Sequence, residues 1–292
     1  MLLARRRAHY PPPMRLRVST HLGSSRVARA IRYASTAALC VLLAACADQP
    51  VSWDPARVDS ARGAVVVTPD GALRPDSLAA LAARLPSPDA AMCPGSLTLA
   101  RAAGHLFAAW WHARPDSGAV LLAAHSDDEG RHWSASAPVD TTDVGATGCN
   151  RAPPAIAADS ASGYVHVAFA LVGKEGPGLF FAHSMDGGAT FHAAVPIFYG
   201  EKLGRSSVAA DGDHVVVAFE DPNSRMPRVG LALSRTQGHI FEERILPISD
   251  DNGAATHPRA AIRGRRVAVA WDRSQPSDSA ATLVAIRAGT LR

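Results

Sequence analysis

The sequence predicts an all-β fold, a β-propeller of four-stranded antiparallel blades, and three observations carry that expectation. Four apolar runs rich in β-formers end in Ala and an aromatic: 106–110 (Leu-Phe-Ala-Ala-Trp), 165–169 (Val-His-Val-Ala-Phe), 215–219 (Val-Val-Val-Ala-Phe) and 267–271 (Val-Ala-Val-Ala-Trp). Their aromatics lie 59, 50 and 52 residues apart, and each run follows a turn signal such as Ala103-Gly104 or Asp211-Gly212-Asp213, as hairpin strands require. A second repeat falls in register with the first, its serine standing 16, 15 and 15 residues after the first three aromatics. A unit of about 50 residues holding several short strands is what a propeller blade looks like in sequence.

Each blade can be assembled in order. Before the four central runs lie short apolar stretches at 96–99, 155–158, 207–210 and 260–262; after them come further stretches at 120–124, 179–182, 229–233 and 282–286. The fourth unit lacks the second repeat, and the sequence reaches Arg292 just after its third strand. An N-terminal strand at 63–68 (Gly-Ala-Val-Val-Val-Thr) would complete that blade, and residues 51–90 leave room for part of a fifth. Residues 76–84 read as a short helix capped by Asp76. The domain division is 1–45 as a secretion signal, 46–62 as a linker and 63–292 as the propeller.

Charge supports that division. The chain has 292 residues, 30 basic against 26 acidic, with 47% hydrophobic residues. Eight of the basic residues, all arginine, precede Asp48, where no acid occurs; without them 22 basic residues face 26 acidic ones. The apparent basicity therefore belongs to the leader, and nucleic acid is not an expected partner, because phosphates are neutralised by charges on a folded surface. The apolar fraction excludes a wholly disordered chain. After the arginines comes a run of about a dozen apolar residues at 34–45, too short to cross a bilayer as a helix and fitting a signal-peptide core. It ends in Leu43-Ala44-Ala45-Cys46, which resembles the bacterial lipobox; the resemblance implies cleavage before Cys46 and lipidation of its thiol. The alternative is an ordinary small-residue cleavage site. Translation starts at Met1 or Met14. Ala47, Asp48 and Gln49 follow the cysteine, and resemblance to Gram-negative lipoproteins points to the outer membrane, on its periplasmic or surface face. Cys40 leaves with the signal, so Cys93 and Cys149 remain in an oxidising compartment, where a disulfide is expected. Too few ligands remain for a zinc site, and no cofactor is expected.

The second repeat reads Ser126-x-Asp128-x-Gly130-x-x-Trp133, then Ser184-x-Asp186-x-Gly188-x-x-Phe191, then Ser234-x-Thr236-x-Gly238-x-x-Phe241. These residues resemble the Asp-box, or BNR, repeats of the sialidase-like β-propeller superfamily, over about residue 93 to the C-terminus. Their chemistry is that of a turn: Ser and Asp bond backbone amides, Gly takes positive φ, and the aromatic plugs the strands. The resemblance places the boxes between third and fourth strands, on the face opposite a ligand pocket.

Up-down strand order brings to that opposite rim the residues leading into first strands and those leaving second strands. The candidates are Trp111, His112, Arg151, Arg205, Glu220, Asp221, Arg259 and Asp272. Arginines at equivalent blade positions would converge near the axis, where guanidinium forks suit a carboxylate. The resemblance implies, for a sialidase, an arginine triad at Arg151, Arg205 and Arg259, Tyr199 as nucleophile paired with Glu201 or Glu220, and Asp116 as acid. The family's first-blade Arg-Ile-Pro is replaced here by Ala91-Met92-Cys93-Pro94, and Arg84-Leu85-Pro86 stands eight residues too early. Three readings follow: a propeller binding a glycan or envelope protein, with Trp111, His112 and Tyr199 stacking on the ligand, which is preferred; an exo-sialidase; and another hydrolase using Glu220, Asp221 and Asp272.

Overall fold

The computed structural model describes residues 49–59, 91–201, 204–221, 223, 225–250, 253–275 and 278–292. The lipobox and Cys46, the strand expected at 63–68, the helix expected at 76–84 and Arg84 all lie outside the described residues.

The first strands among the described residues are two short ones, β1 (Val51–Trp53) and β2 (Arg57–Asp59). The first blade follows as β3 (Thr98–Ala102), β4 (His105–Ala113), β5 (Ala119–Ser126) and β6 (Ala137–Asp140); the second as β7 (Ala155–Ala158), β8 (Val165–Gly173), β9 (Gly176–Ser184) and β10 (Val195–Tyr199). The third comprises β11 (Ser206–Asp211), β12 (His214–Asp221), β13 (Arg228–Ser234) and β14 (Leu246–Pro247); the fourth β15 (Ala255–Arg263), β16 (Arg266–Gln275) and β17 (Asp278–Leu291). Within each blade consecutive strands pair antiparallel. The first strands pack in succession, β3 against β7, β7 against β11 and β11 against β15, which is the radial arrangement of a β-propeller.

The packing explains why the first three central runs are apolar without alternation: β4, β8 and β12 are buried on both faces, whereas in β16 Val267, Val269 and Trp271 are buried and Ala268 and Ala270 only half-buried. Ala109, Trp111 and Leu121 meet Val167, Phe169 and Leu171 across the first interface. Phe181, Val217 and Phe219 fill the second, and Val216, Leu231, Val269 and Trp271 the third. Trp111 meets Phe169 edge-on at 6.0 Å and 78°, a geometry adding about 1 kcal/mol beyond burial. Among the described residues no buried cluster joins the fourth blade to the first.

The last blade is completed from the N-terminus, but by residues earlier than the sequence suggested. Both β1 and β2 pair with the C-terminal β17. Val51 pairs with Leu291, both buried, and Arg292 N–H donates to Pro50 O at 2.9 Å. Residues 51–53 and 57–59 thus belong to the fourth sheet, and the described residues form four blades. A three-residue run, Val-Ser-Trp, is too short to announce a strand; what fixes it is the partner at the other end of the chain.

Cys93 and Cys149 form a disulfide, at a Cα–Cα distance of 5.1 Å. It joins the segment leading into the first blade to the loop leading into the second.

Candidate functional site

The three boxes close the turns after β5, β9 and β13 and are superposable in their bonding. Ser126 Oγ donates to Asp128 Oδ1 at 2.9 Å and accepts Gly130 N–H at 2.8 Å, while Asp128 Oδ1 accepts His132 N–H at 2.8 Å. Ser184, Asp186, Gly188 and Thr190 repeat the pattern at 2.7, 2.8 and 2.9 Å. The bonds from Thr190 hold Asp186 down near a pKa of about 2, and those from His132 lower Asp128 further. Both carboxylates are thereby committed to the turn. In the third box Thr236 takes the aspartate's place and does its work: Thr236 Oγ1 accepts Ile240 N–H at 2.9 Å, and Gly238 N–H reaches Ser234 Oγ at 3.1 Å. The three glycines stand at φ 84°, 86° and 87°. At Gly238 a Cβ would lie 2.6 Å from the Phe181 ring, so glycine is required twice over.

At the opposite ends of the blades, the first strands open on an axial cavity of 340 Å³. Its wall is Thr98 and Leu99 from β3, residues 153–156 at the start of β7, residues 205–208 at the start of β11, and Arg259 of β15. Arg205 and Arg259 thus share one cavity whose lining contains hydroxyls and apolar groups but no acid. Glu220, which might have neutralised them, is occupied by the backbone. Its Oε1 accepts His257 N–H at 2.7 Å and Oε2 accepts Arg205 N–H at 3.1 Å. Gly204 exists to admit that carboxylate, since a Cβ there would lie 2.0 Å from Glu220 Oε2. Asp272 sits 3.0 Å from His257 Nδ1, and Asp221 Oδ1 accepts Asn223 N–H at 2.9 Å. Two of the three expected arginines converge, and the rim acids are held by the loops around them.

The third arginine does not join them. Arg151 Nη1 meets Asp143 Oδ2 at 2.9 Å, with side-chain exposures of 6% and 1%, and its guanidinium lies 4.8 Å over the Trp111 ring. Trp111 is itself fully buried, its indole N–H donating to Ala152 O at 3.0 Å. Trp111 therefore cannot stack on a ligand, and Arg151 is already paired with Asp143 and packed on Trp111. Asp143 was missed in the sequence because it belongs to no repeat; an acid eight residues before a rim arginine was the one available signal. His112 is half-buried beside Met92. Tyr199 ends the outermost strand of the second blade, edge-on to Phe180 at 6.0 Å, and lines a separate groove of 500 Å³ with Asp140, Lys174 and Glu175. Glu201 lines a third cavity, of 180 Å³, with Asp143 and Arg151. Asp116 is exposed in the β4–β5 turn, bonded to Gly118 N–H and Arg114, and the first of these bonds leads the lowering of its pKa. None of Tyr199, Glu201 and Asp116 lines the arginine cavity; of the side chains expected for a sialidase nucleophile, base and acid, only Glu220 adjoins it, bonded to the amides of Arg205 and His257. Among the described residues no group of three or more His, Cys, Asp or Glu is placed to hold a metal ion.

No family model matches the chain, and no curated protein matches it. Solved structures similar to it include a Dyadobacter fermentans protein of unknown function, 18% identical, with TM-score 0.48, covering 65% of this chain and 51% of that one. A Hadza microbial sialidase is 17% identical, with TM-score 0.44 and coverage of 62% and 42%. A mutant of NanB sialidase from Streptococcus pneumoniae is 15% identical, with TM-score 0.43 and coverage of 68% and 31%. The chain therefore spans about half or less of these proteins. The propeller itself rests on the chain's own sheets.

Proposed function

We propose that this protein is an envelope-anchored propeller that binds a carboxylate-bearing glycan in its axial cavity without hydrolysing it. The observation that carries the reading is the pairing of Arg205 and Arg259 in one cavity with no lining acid. Two guanidinium forks with hydroxyls from Thr98, Ser206 and Ser207 around them suit a carboxylate on a polyhydroxylated ligand. The larger groove at Tyr199 mixes Asp140, Lys174 and Glu175 and offers no comparable unopposed charge. Against hydrolysis stand the separation of Tyr199, Glu201 and Asp116 from that cavity and the commitment of Glu220 to two backbone amides. Anchoring rests on the lipobox-like Leu43-Ala44-Ala45-Cys46, with Cys46 acylated and the protein held at the outer membrane.

The test is calorimetric titration with sialyllactose and with lactose. Sialyllactose should bind saturably and lactose should not. Arg205→Ala and Arg259→Ala should each weaken binding at least 10-fold, as loss of a charge-assisted hydrogen bond does, while a fluorogenic sialoside stays intact. Equal binding of the two sugars, or turnover abolished by Arg205→Ala, would refute this reading.

A further inference from the structure

The chain joins the propeller at a defined place. Pro50 lies at the box end of the fourth blade, where its carbonyl accepts Arg292 N–H at 2.9 Å and Arg235 Nη2 at 3.3 Å. Arg235 belongs to the third box and is held there by Glu242 at 2.8 Å. The third box therefore clasps the point at which the N-terminal segment arrives. The tip of that same box is Ile240, 71% exposed, the most exposed large apolar side chain of the described residues. Met185 of the second box, on the same face, is 47% exposed.

The third box also differs from its siblings in charge. Where they carry Asp128 and Asp186, it has Thr236, whose hydroxyl caps Ile240 N–H at 2.9 Å with no net charge. A box that keeps its fold while shedding its carboxylate and presenting isoleucine is suited to an anionic lipid surface, which repels carboxylates and accepts apolar side chains.

Only Ala47, Asp48 and Gln49 separate Cys46 from Pro50, so the two Cα atoms are at most about 14 Å apart. Resting on the lipid-anchor reading above, we propose that the tip of the third box, Ile240 foremost, sits in the membrane surface to which Cys46 tethers the chain. The arginine-lined cavity, on the opposite rim, then faces away from the bilayer. Apolar contact beside the anchor fixes the orientation of the propeller on the bilayer.

The full chain, produced in a Gram-negative bacterium, carries Ile240→Cys or, as the opposite-rim control, Glu175→Cys, whose position is exposed in the β8–β9 turn. With Cys93 and Cys149 paired and Cys46 acylated, the introduced thiol alone takes an environment-sensitive fluorophore. The proteins are reconstituted in phosphatidylethanolamine–phosphatidylglycerol vesicles containing nitroxide-labelled acyl chains, and the N-terminal peptide is weighed by mass spectrometry. The expected result is a blue-shifted, quenched label at 240 and an unquenched one at 175. An acylated peptide with label 240 unquenched, or with label 175 quenched instead, overturns the orientation alone. A peptide without acyl mass, with neither label quenched, overturns the anchor and the orientation together.

Discussion

At the scale of single residues, the rim teaches that a charged side chain is defined by what already holds it. Arg151 and Arg205 stand just before successive inner strands, yet Arg151 is spent on Asp143 and Trp111, and Arg205 lines an open cavity without an acid. Their alanine variants should therefore fail differently. Arg151→Ala strips the charge partner from a carboxylate that is 1% exposed, a change that costs about 3 kcal/mol or more, so the urea midpoint should drop while the folded fraction keeps its affinity for sialyllactose. Arg205→Ala should leave the unfolding free energy within about 0.5 kcal/mol of the parent's and lose affinity. A midpoint unmoved in Arg151→Ala would show that the buried pair contributes nothing. The sequence could not separate the two arginines, because what distinguishes them is Asp143, a partner outside every repeat.

At the scale of elements, legibility followed periodicity. The central strands and the boxes could be read, since a buried run is apolar and a tight turn must spend Ser, Asp and Gly in fixed order; the placement of the boxes between third and fourth strands came from the family resemblance. β1 could not be read, because it is three residues whose stabilisation comes from β17, some 240 positions away. The arginine cavity was half legible: strand order brought Arg205 and Arg259 to one rim, but backbone pairing of Glu220 and burial of Trp111 depend on loop geometry. The disulfide was legible by elimination of Cys40 and Cys46. It closes a loop of 56 residues, for which restricting the unfolded chain is worth about 4 kcal/mol. Denaturant unfolding with and without prior reduction should show a loss of that order. Equal midpoints would mean that the first two blades hold together by packing alone.

At the scale of the whole molecule, the blades are separate sheets whose cohesion depends on the interfaces between them, and one interface carries an acid-sensitive group. His166 of β8 is fully buried with neither ring nitrogen hydrogen-bonded, and packs at 5.8 Å against Phe181 and 6.5 Å from His183. His183 in turn lies 4.6 Å from His239 of the third box and 4.7 Å from His192, with Tyr164 stacked on it at 6.0 Å. Burial, then the neighbouring histidines, pushes both His166 and His183 down to about 4, with Asp159 opposing this at His166. The sign follows directly. Above pH 6.5 these rings are neutral in both states and contribute no pH dependence. As pH falls from 6.5 towards 4, the unfolded chain takes up protons that the native state refuses, so stability declines; below about 4 the native rings protonate and the decline ends. For His166 the loss between pH 6.5 and pH 5 is about 2 kcal/mol. His166→Leu removes both the unbonded nitrogens and the titration. It should be near-neutral or stabilising at pH 7.5 and should flatten the fall in urea midpoint between pH 6.5 and 5. A variant whose midpoint falls as steeply as the parent's would move the acid sensitivity of this propeller away from the seam between its second and third blades.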